Sequence, residues 1–220
     1  MSRVFTKNVN NYMHVAEGTI GTLFNGAAMA VFHVWVRFRS ISTSGVDNIL
    51  FANYQTGGLT GAGAIQVAGD TAARLLGRSV STDSAQICTG INRIKAGSWY
   101  SLGGVNDFTN KRQFLYVNGK IDAQNIPTWA NTTFTHSLAA GQPDNIGNGT
   151  ITIPVSTASM VDGELAHYAG WKFGTGSPGL SSGDWEALAE GVLPSVIQPG
   201  RLAFYFPLNG QEIAGPEIDR

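Results

Sequence analysis

The sequence predicts an all-β protein, a two-sheet antiparallel β-sandwich of the jelly-roll kind, with one short helix near 181–190. Three observations predict it. Residues 30–39 alternate strictly, with Phe32, Val34, Val36 and Phe38 on one face and Val31, His33, Trp35, Arg37 and Arg39 on the other. Asn118-Gly119 separates two alternating runs, and both residues of such a turn favour positive φ, which marks a hairpin. Gly supplies 28 of 220 residues, and with abundant Ser, Thr and Asn it punctuates short strands and disfavours long helices.

Taken in order, strands are expected at 12–17, 30–39, 48–53, 64–67, 87–90, 96–105, 113–117, 120–122, 151–154, 163–173 and 202–207. Within 30–39 the fully apolar face should meet the opposing sheet, and the mixed face should look towards a groove, a loop or solvent. The helix follows from its ends. Ser181 suits the N-cap, Asp184 sits at N3 beside the unpaired amides, Leu180 and Trp185 can form a staple, and Gly191 suits the C′ position. Trp185, Leu188 and Ala189 give it one apolar stripe.

No repeat or charged linker divides the chain, so 1–220 reads as one domain, with about 209–220 as a surface tail. A chain of this length sustains its own core, and the single Cys88 excludes an internal disulfide framework. Net charge is −1 with 13% charged residues and no Lys/Arg run, which removes the electrostatic footprint of a nucleic-acid binder. The longest apolar stretch, 27–36, is about half a bilayer span, and the N-terminal residues show no apolar core of a signal peptide. Neither a membrane nor a secretory route is therefore expected.

Several segments in order carry a family resemblance. They are Phe32-His-Val-Trp-Val-Arg-Phe38; Gly97-Ser-Trp-Tyr100 followed by Phe114-Leu-Tyr-Val-Asn-Gly119; Asn145-Ile-Gly-Asn148; and Gly163 to Trp171 with Leu180-Ser-Ser-Gly-Asp-Trp-Glu-Ala-Leu188. Across roughly 12–208 the chain resembles the concanavalin A-like lectin/glucanase superfamily, in particular its laminin-G-like and pentraxin-like branch. The resemblance implies a jelly roll of two curved sheets that binds carbohydrate or protein. The cysteine-poor chain with its Phe204-Tyr-Phe-Pro-Leu-Asn-Gly210 ending looks most like the versions found as accessory domains on bacteriophage virions, an analogy at the level of fold.

Candidate chemistry is sparse. The Glu-x-Asp-x-x-Glu run of the enzymatic branch is missing; the nearest carboxylate pair, Asp162 and Glu164, could share a strand face, but Asp162 and Gly163 read as a strand-entry turn. Gly179-Leu-Ser181-Ser-Gly183 fits a nucleophile elbow, but the last His, His167, precedes the Ser, and Ser181 has a sufficient role as helix cap. Gly174-Thr-Gly-Ser-Pro-Gly179 fits a dinucleotide loop without the parallel βαβ unit that such a loop requires. His14, His33, His136 and His167 are scattered singly, so structural zinc is not expected. Asn106-Asp107 and Asp144-Asn145 are the loop oxygens that could hold calcium, the one cofactor left open.

Trp35, Trp99, Trp171 and Trp185 lie in patterned elements and are expected to pack. Trp129 lies in an apparent loop; packing beneath that loop is the leading reading, and a ring exposed there would instead stack on a sugar or anchor a protein contact. The sequence therefore points to a non-enzymatic attachment module of a virion, held by contacts to other virion proteins or to its own copies. A carbohydrate-binding lectin-like module is the alternative, and a glycan hydrolase ranks below both.

Overall fold

A computed structural model of the chain describes residues 2–5, 13–15, 19–42, 48–55, 58–137, 144–147, 161–208 and 217–218. In chain order the elements open with β1 (Arg3–Phe5), β2 (Met13–Val15), α1 (Thr19–Phe24), β3 (Met29–Ser40), β4 (Asn48–Gln55), β5 (Gly58–Val67), β6 (Ala72–Gly77) and β7 (Gln86–Arg93). They continue with β8 (Trp99–Asp107), β9 (Arg112–Val117), β10 (Lys120–Asn125), β11 (Asp144–Ile146), β12 (Asp162–Phe173), α2 (Ser182–Ala189), β13 (Leu202–Phe206) and β14 (Glu217–Ile218). One sheet runs β1-β12-β3-β8-β9-β10, with β13 also on β12; the other runs β14-β2-β11-β4-β5-β6-β7. The described pairings are antiparallel except that of β14 with β2.

Between the sheets lies the main core. Phe32, Val34, Val36 and Phe38 of β3, with Leu102, Leu115 and Tyr168, meet Phe51, Ile65, Val67 and Leu75 of the opposing sheet. Phe51 bridges the layers, with its ring centroid 4.9 Å from Phe32 and 4.6 Å from Tyr168. Each such side chain taken from water stabilises by about 1.5–3 kcal/mol. The apolar face read from the alternation is the core face.

A second, smaller core covers part of the outer face of the first sheet. There Val31, Trp171 and Phe173 pack beneath Trp185 and Leu188 of α2. The helix is capped reciprocally: Asp184 N donates to Ser181 Oγ at 3.1 Å, and Ser181 N donates to Asp184 Oδ2 at 2.8 Å. Trp185 lies flat on Tyr116, with centroids 4.1 Å apart and planes 11° apart. It also reaches over Gly103, where a Cβ would fall 2.1 Å from the indole ring, so only glycine lets the helix come this close. The expected hairpin joins β9 to β10, with φ of 51° at Asn118 and 79° at Gly119.

Polar groups stitch the layers where side chains alone would not fix them. Asn106 is fully buried at the end of β8; its Nδ2 donates across the sandwich to Ala62 O (2.7 Å) and Leu76 O (3.1 Å), while its Oδ1 accepts from Gln113 Nε2 (2.9 Å). Asn125 Nδ2 then donates to Gln113 Oε1 at 2.9 Å. At the open edge, Asp122 of β10 accepts from the amides of Ile91 (2.9 Å) and Asn92 (3.2 Å) of β7.

The strand expected at 151–154 lies outside the described residues. The structure adds strands β1, β6 and β14 and a six-residue helix, α1, to the elements expected, and forms β11 at the Asn145-Ile-Gly segment. β6, Ala-Ala-Arg-Leu-Leu-Gly, has few β-branched or aromatic residues and forms because its neighbours pair with it on both sides. The tail is corrected in one respect: Glu217–Ile218 pairs with β2, so that stretch belongs to a sheet. Asp162 and Gly163, expected as a strand-entry turn, are instead paired members of β12 opposite Ser40 and Phe38.

His33 shows what burial under α2 does. It is fully buried, its Nε2 lies 2.8 Å from Ser101 Oγ, and burial pushes its pKa down from 6.5 to about 3. The unfolded chain takes up this proton more readily than the folded one, so the contribution is present above pH 6.5 and is lost as pH falls towards 3. His33→Gln is expected to flatten the pH dependence of the unfolding midpoint between pH 6.5 and 4, measured in urea at each pH; a slope equal to that of the parent would refute this role.

The Asn106 seam makes a second prediction. Asn106→Ala strands the Ala62 and Leu76 carbonyls and is expected to cost about 3 kcal/mol. A methyl on Gly77 would sit 2.4 Å from Asn106 Nδ2, so Gly77→Ala should also destabilise. In the double variant the clash has gone, and guanidinium titrations should show a loss smaller than the sum of the two.

Candidate functional site

The helix that covers one end of the outer face leaves the other end bare. Trp35 and Arg37 of β3, Trp99 of β8, and Glu164, Ala166 and His167 of β12 all project there. Ser2, Trp35, Trp99, Ala166, His167 and Gly191 line a cavity of about 310 Å3. Gly191 follows α2, and Trp35 Nε1 donates to Leu188 O at 3.2 Å, so the floor of the cavity is tied to the end of the helix.

Two indole rings define the site. Trp99 is 37% exposed and meets half-buried Trp35 edge to face, with centroids 6.4 Å apart and an interplanar angle of 72°. The Arg37 guanidinium carbon lies 5.6 Å from the Trp99 ring centre, in cation–π range. Arg37 Nε and Nη2 both donate to Glu164 Oε1, the first at 3.1 Å, and Ser2 Oγ donates to Glu164 Oε2 at 2.8 Å. The Arg37 guanidinium holds the Glu164 carboxyl below the usual carboxylate range.

His167 reaches this face through a bulge. Opposite Val34, β12 carries both His167 and Tyr168, the register slips between Ala166 and Ala169, and His167 adopts φ of 52°. The extra residue lets Tyr168 turn into the core while His167 joins Ala166 on the outer face. Its Nδ1 lies 2.7 Å from Tyr205 Oη and its ring stacks on that of Tyr205, while partial burial lowers its pKa.

The residues singled out from the sequence lie elsewhere and do not converge. Trp129 is 4% exposed: its ring packs 4.7 Å from Phe108, and its Nε1 donates to Gly77 O at 3.1 Å. It packs beneath its own loop, in line with the leading reading: Phe134, five residues on, and Phe108 at the strand end join it in the core. Asn106 belongs to the buried seam. The Asp107 carboxylate accepts from Asn110 N (3.0 Å) and Asn110 Nδ2 (2.8 Å) and so closes a turn. Asp144 is fully buried and accepts from Ile20 N at 2.7 Å, which anchors α1, and Asn145 pairs through its backbone with His14 and Ala52.

Asp107 and Asp144 sit in different sheets, and no group of three or more His, Cys, Asp or Glu that could hold a metal forms among the described residues. These oxygens do not make a calcium cage. Asp162 is likewise engaged, accepting from Ser40 Oγ at 2.6 Å and lying 3.5 Å from Arg39 Nε.

Reading each tryptophan by its own strand missed the site. Trp35 and Trp99 were expected to pack, and they come together only through the pairing of β3 with β8, where Trp99 lies opposite Arg37. The signal in the sequence was Arg37 and Arg39 sharing a face with Trp35. A larger hollow of about 660 Å3 beside Arg93, Lys95 and Lys120 has one aromatic ring, Tyr100, and no paired indoles.

No model of a known protein family matches the chain, and no curated protein matches it in sequence. Solved structures do match in shape. A candidate carbohydrate-binding protein from Bacteroides ovatus superposes with a TM-score of 0.66 at 15% identity over 95% of this chain, which spans about half (51%) of that protein. A native heptameric SAP-like pentraxin from Limulus polyphemus gives 0.57 at 13% identity, over 84% of this chain and 80% of that one. The CBM40 of the Ruminococcus gnavus IT-sialidase, bound to α2,3-sialyllactose, gives 0.56 at 9% identity over 86% and 98%. No helix among the described residues is long and apolar enough to cross a membrane. What the chain shares with these three proteins is the fold, a jelly-roll β-sandwich.

Proposed function

We propose that this chain is a carbohydrate-binding module that acts without catalysis, and that the Trp35–Trp99 cavity is its binding site. The observation that carries the reading is the exposed Trp99 ring, held edge to face against Trp35 and ringed by hydrogen-bonding groups. Sugar rings present C–H faces that stack on indole and hydroxyls that need both donors and acceptors. Arg37, Glu164, His167 and Ser2 offer both within one cavity rim.

The absence of catalysis is supported by how the nearest carboxylates are used. Glu164 is kept ionised by Arg37, which unfits it as a general acid, and Asp162 is bound to Ser40 and Arg39. The names of two neighbours speak of carbohydrate or of sialyllactose, which favours the lectin-like alternative over attachment to a virion. Attachment by protein contact keeps one observation in its favour. Ile87, Ile91, Ile121 and Ile126 are 45–81% exposed on β7, β10 and the residue that follows it.

A glycan array followed by calorimetry tests the proposal. Saturable binding to at least one glycan is expected. Trp99→Ala should weaken it by at least about tenfold while shifting the stability by no more than about 1 kcal/mol. Unchanged affinity in Trp99→Ala would remove this cavity from the function.

A further inference from the structure

The charges around the cavity go beyond sugar binding in general and bear on which sugars fit. Arg37 gives two of its five N–H groups to Glu164, whose other oxygen accepts from Ser2. Further along the same face, Arg39 Nε lies 3.5 Å from Asp162 Oδ1, Arg39 Nη2 donates to Phe5 O at 3.0 Å, and Ser40 Oγ donates to Asp162 Oδ2. Arg37 and Arg39 on this rim therefore each already have a carboxylate of their own. A guanidinium held by a protein carboxylate is a poor receptor for a ligand carboxylate, which would have to displace Glu164 and then sit beside it.

We infer that the site selects a neutral pyranose, stacked by its C–H face on Trp99, and rejects sugars that carry a carboxylate. This rests on the carbohydrate reading above and narrows it. Arg37 sits over Trp99 and fixes the ring, so the guanidinium orients the platform while Glu164 cancels its charge. Sugar hydroxyls then donate to the unused lone pairs of Glu164 and accept from the remaining N–H groups of Arg37. His167 adds no charge near neutral pH, because burial lowers its pKa. The preference would thus be opposite to that for sialyllactose, the ligand named for one of the structural neighbours.

Matched probes distinguish the possibilities. Lactose, N-acetyllactosamine, cellobiose and maltose are titrated into the full chain beside 3′-sialyllactose and 6′-sialyllactose. Neutral members are expected to bind at least about tenfold more tightly than sialylated ones, as a like-charge contact costs a kcal/mol or more. Glu164→Gln keeps the shape and frees the Arg37 charge, so it should shift the ratio by about tenfold towards the sialylated probes.

Equal or reversed preference in the unaltered protein, or an unchanged ratio in E164Q, overturns the neutral-sugar inference and leaves the carbohydrate reading standing. Saturation by none of these probes, nor by any glycan on the array, overturns the carbohydrate reading itself. If E164Q does not fold, the titrations of the unaltered protein decide alone.

Discussion

The arrangement turns on a mismatch of lengths. α2 has 8 residues and so runs about 12 Å, whereas β3 has 12 and runs about 40 Å. Both faces of the first sheet are apolar at one end, and the helix can cover only that end. Beneath it, Val31, His33 and Trp171 are sealed from water; beyond it, Trp35 and Arg37 are half covered and Arg39 is in the open. The bare end is where aromatic rings and charged groups meet solvent together. Trp185, set flat on Tyr116 and close over Gly103, fixes how far the helix reaches.

What could be read from the sequence was local. The alternation of residues 30–39, the Asn118-Gly119 turn and the Ser181/Asp184 cap are each decided by neighbours within a few positions, and all three stand in the structure. What could not be read depended on distant partners. Trp35 meets Trp99 only through strand pairing. The bulge at His167 is invisible to a period-two reading, because the slip itself reverses which side chains face outward. β6 was missed because its composition is poor for a strand and its pairing supplies the rest.

The aromatic residues divide by what lies above them. Where α2 or the facing sheet covers the ring, as for Trp171, Trp185 and Tyr168, it is structural; where the cover ends, as at Trp99, the same residue type becomes surface with a fixed orientation. Holding that orientation needs the Arg37–Glu164 pair, whose contribution to stability at such exposure is small. Its geometric role is larger, since it sets the tilt of one ring and the charge of the rim together.

The Asp122 carboxylate at the opposite edge has a different consequence. In β7, Gly90, Ile91 and Asn92 bulge opposite Ala73, which takes the amides of Ile91 and Asn92 out of the ladder with β6. Together with the exposed Ile87 and Ile91, free amides there would offer another chain both the hydrogen bonds and the apolar contact that start strand addition. Asp122 occupies those donors from within the molecule. A strand added at this edge would have to displace a carboxylate of the same chain before it reached those amides.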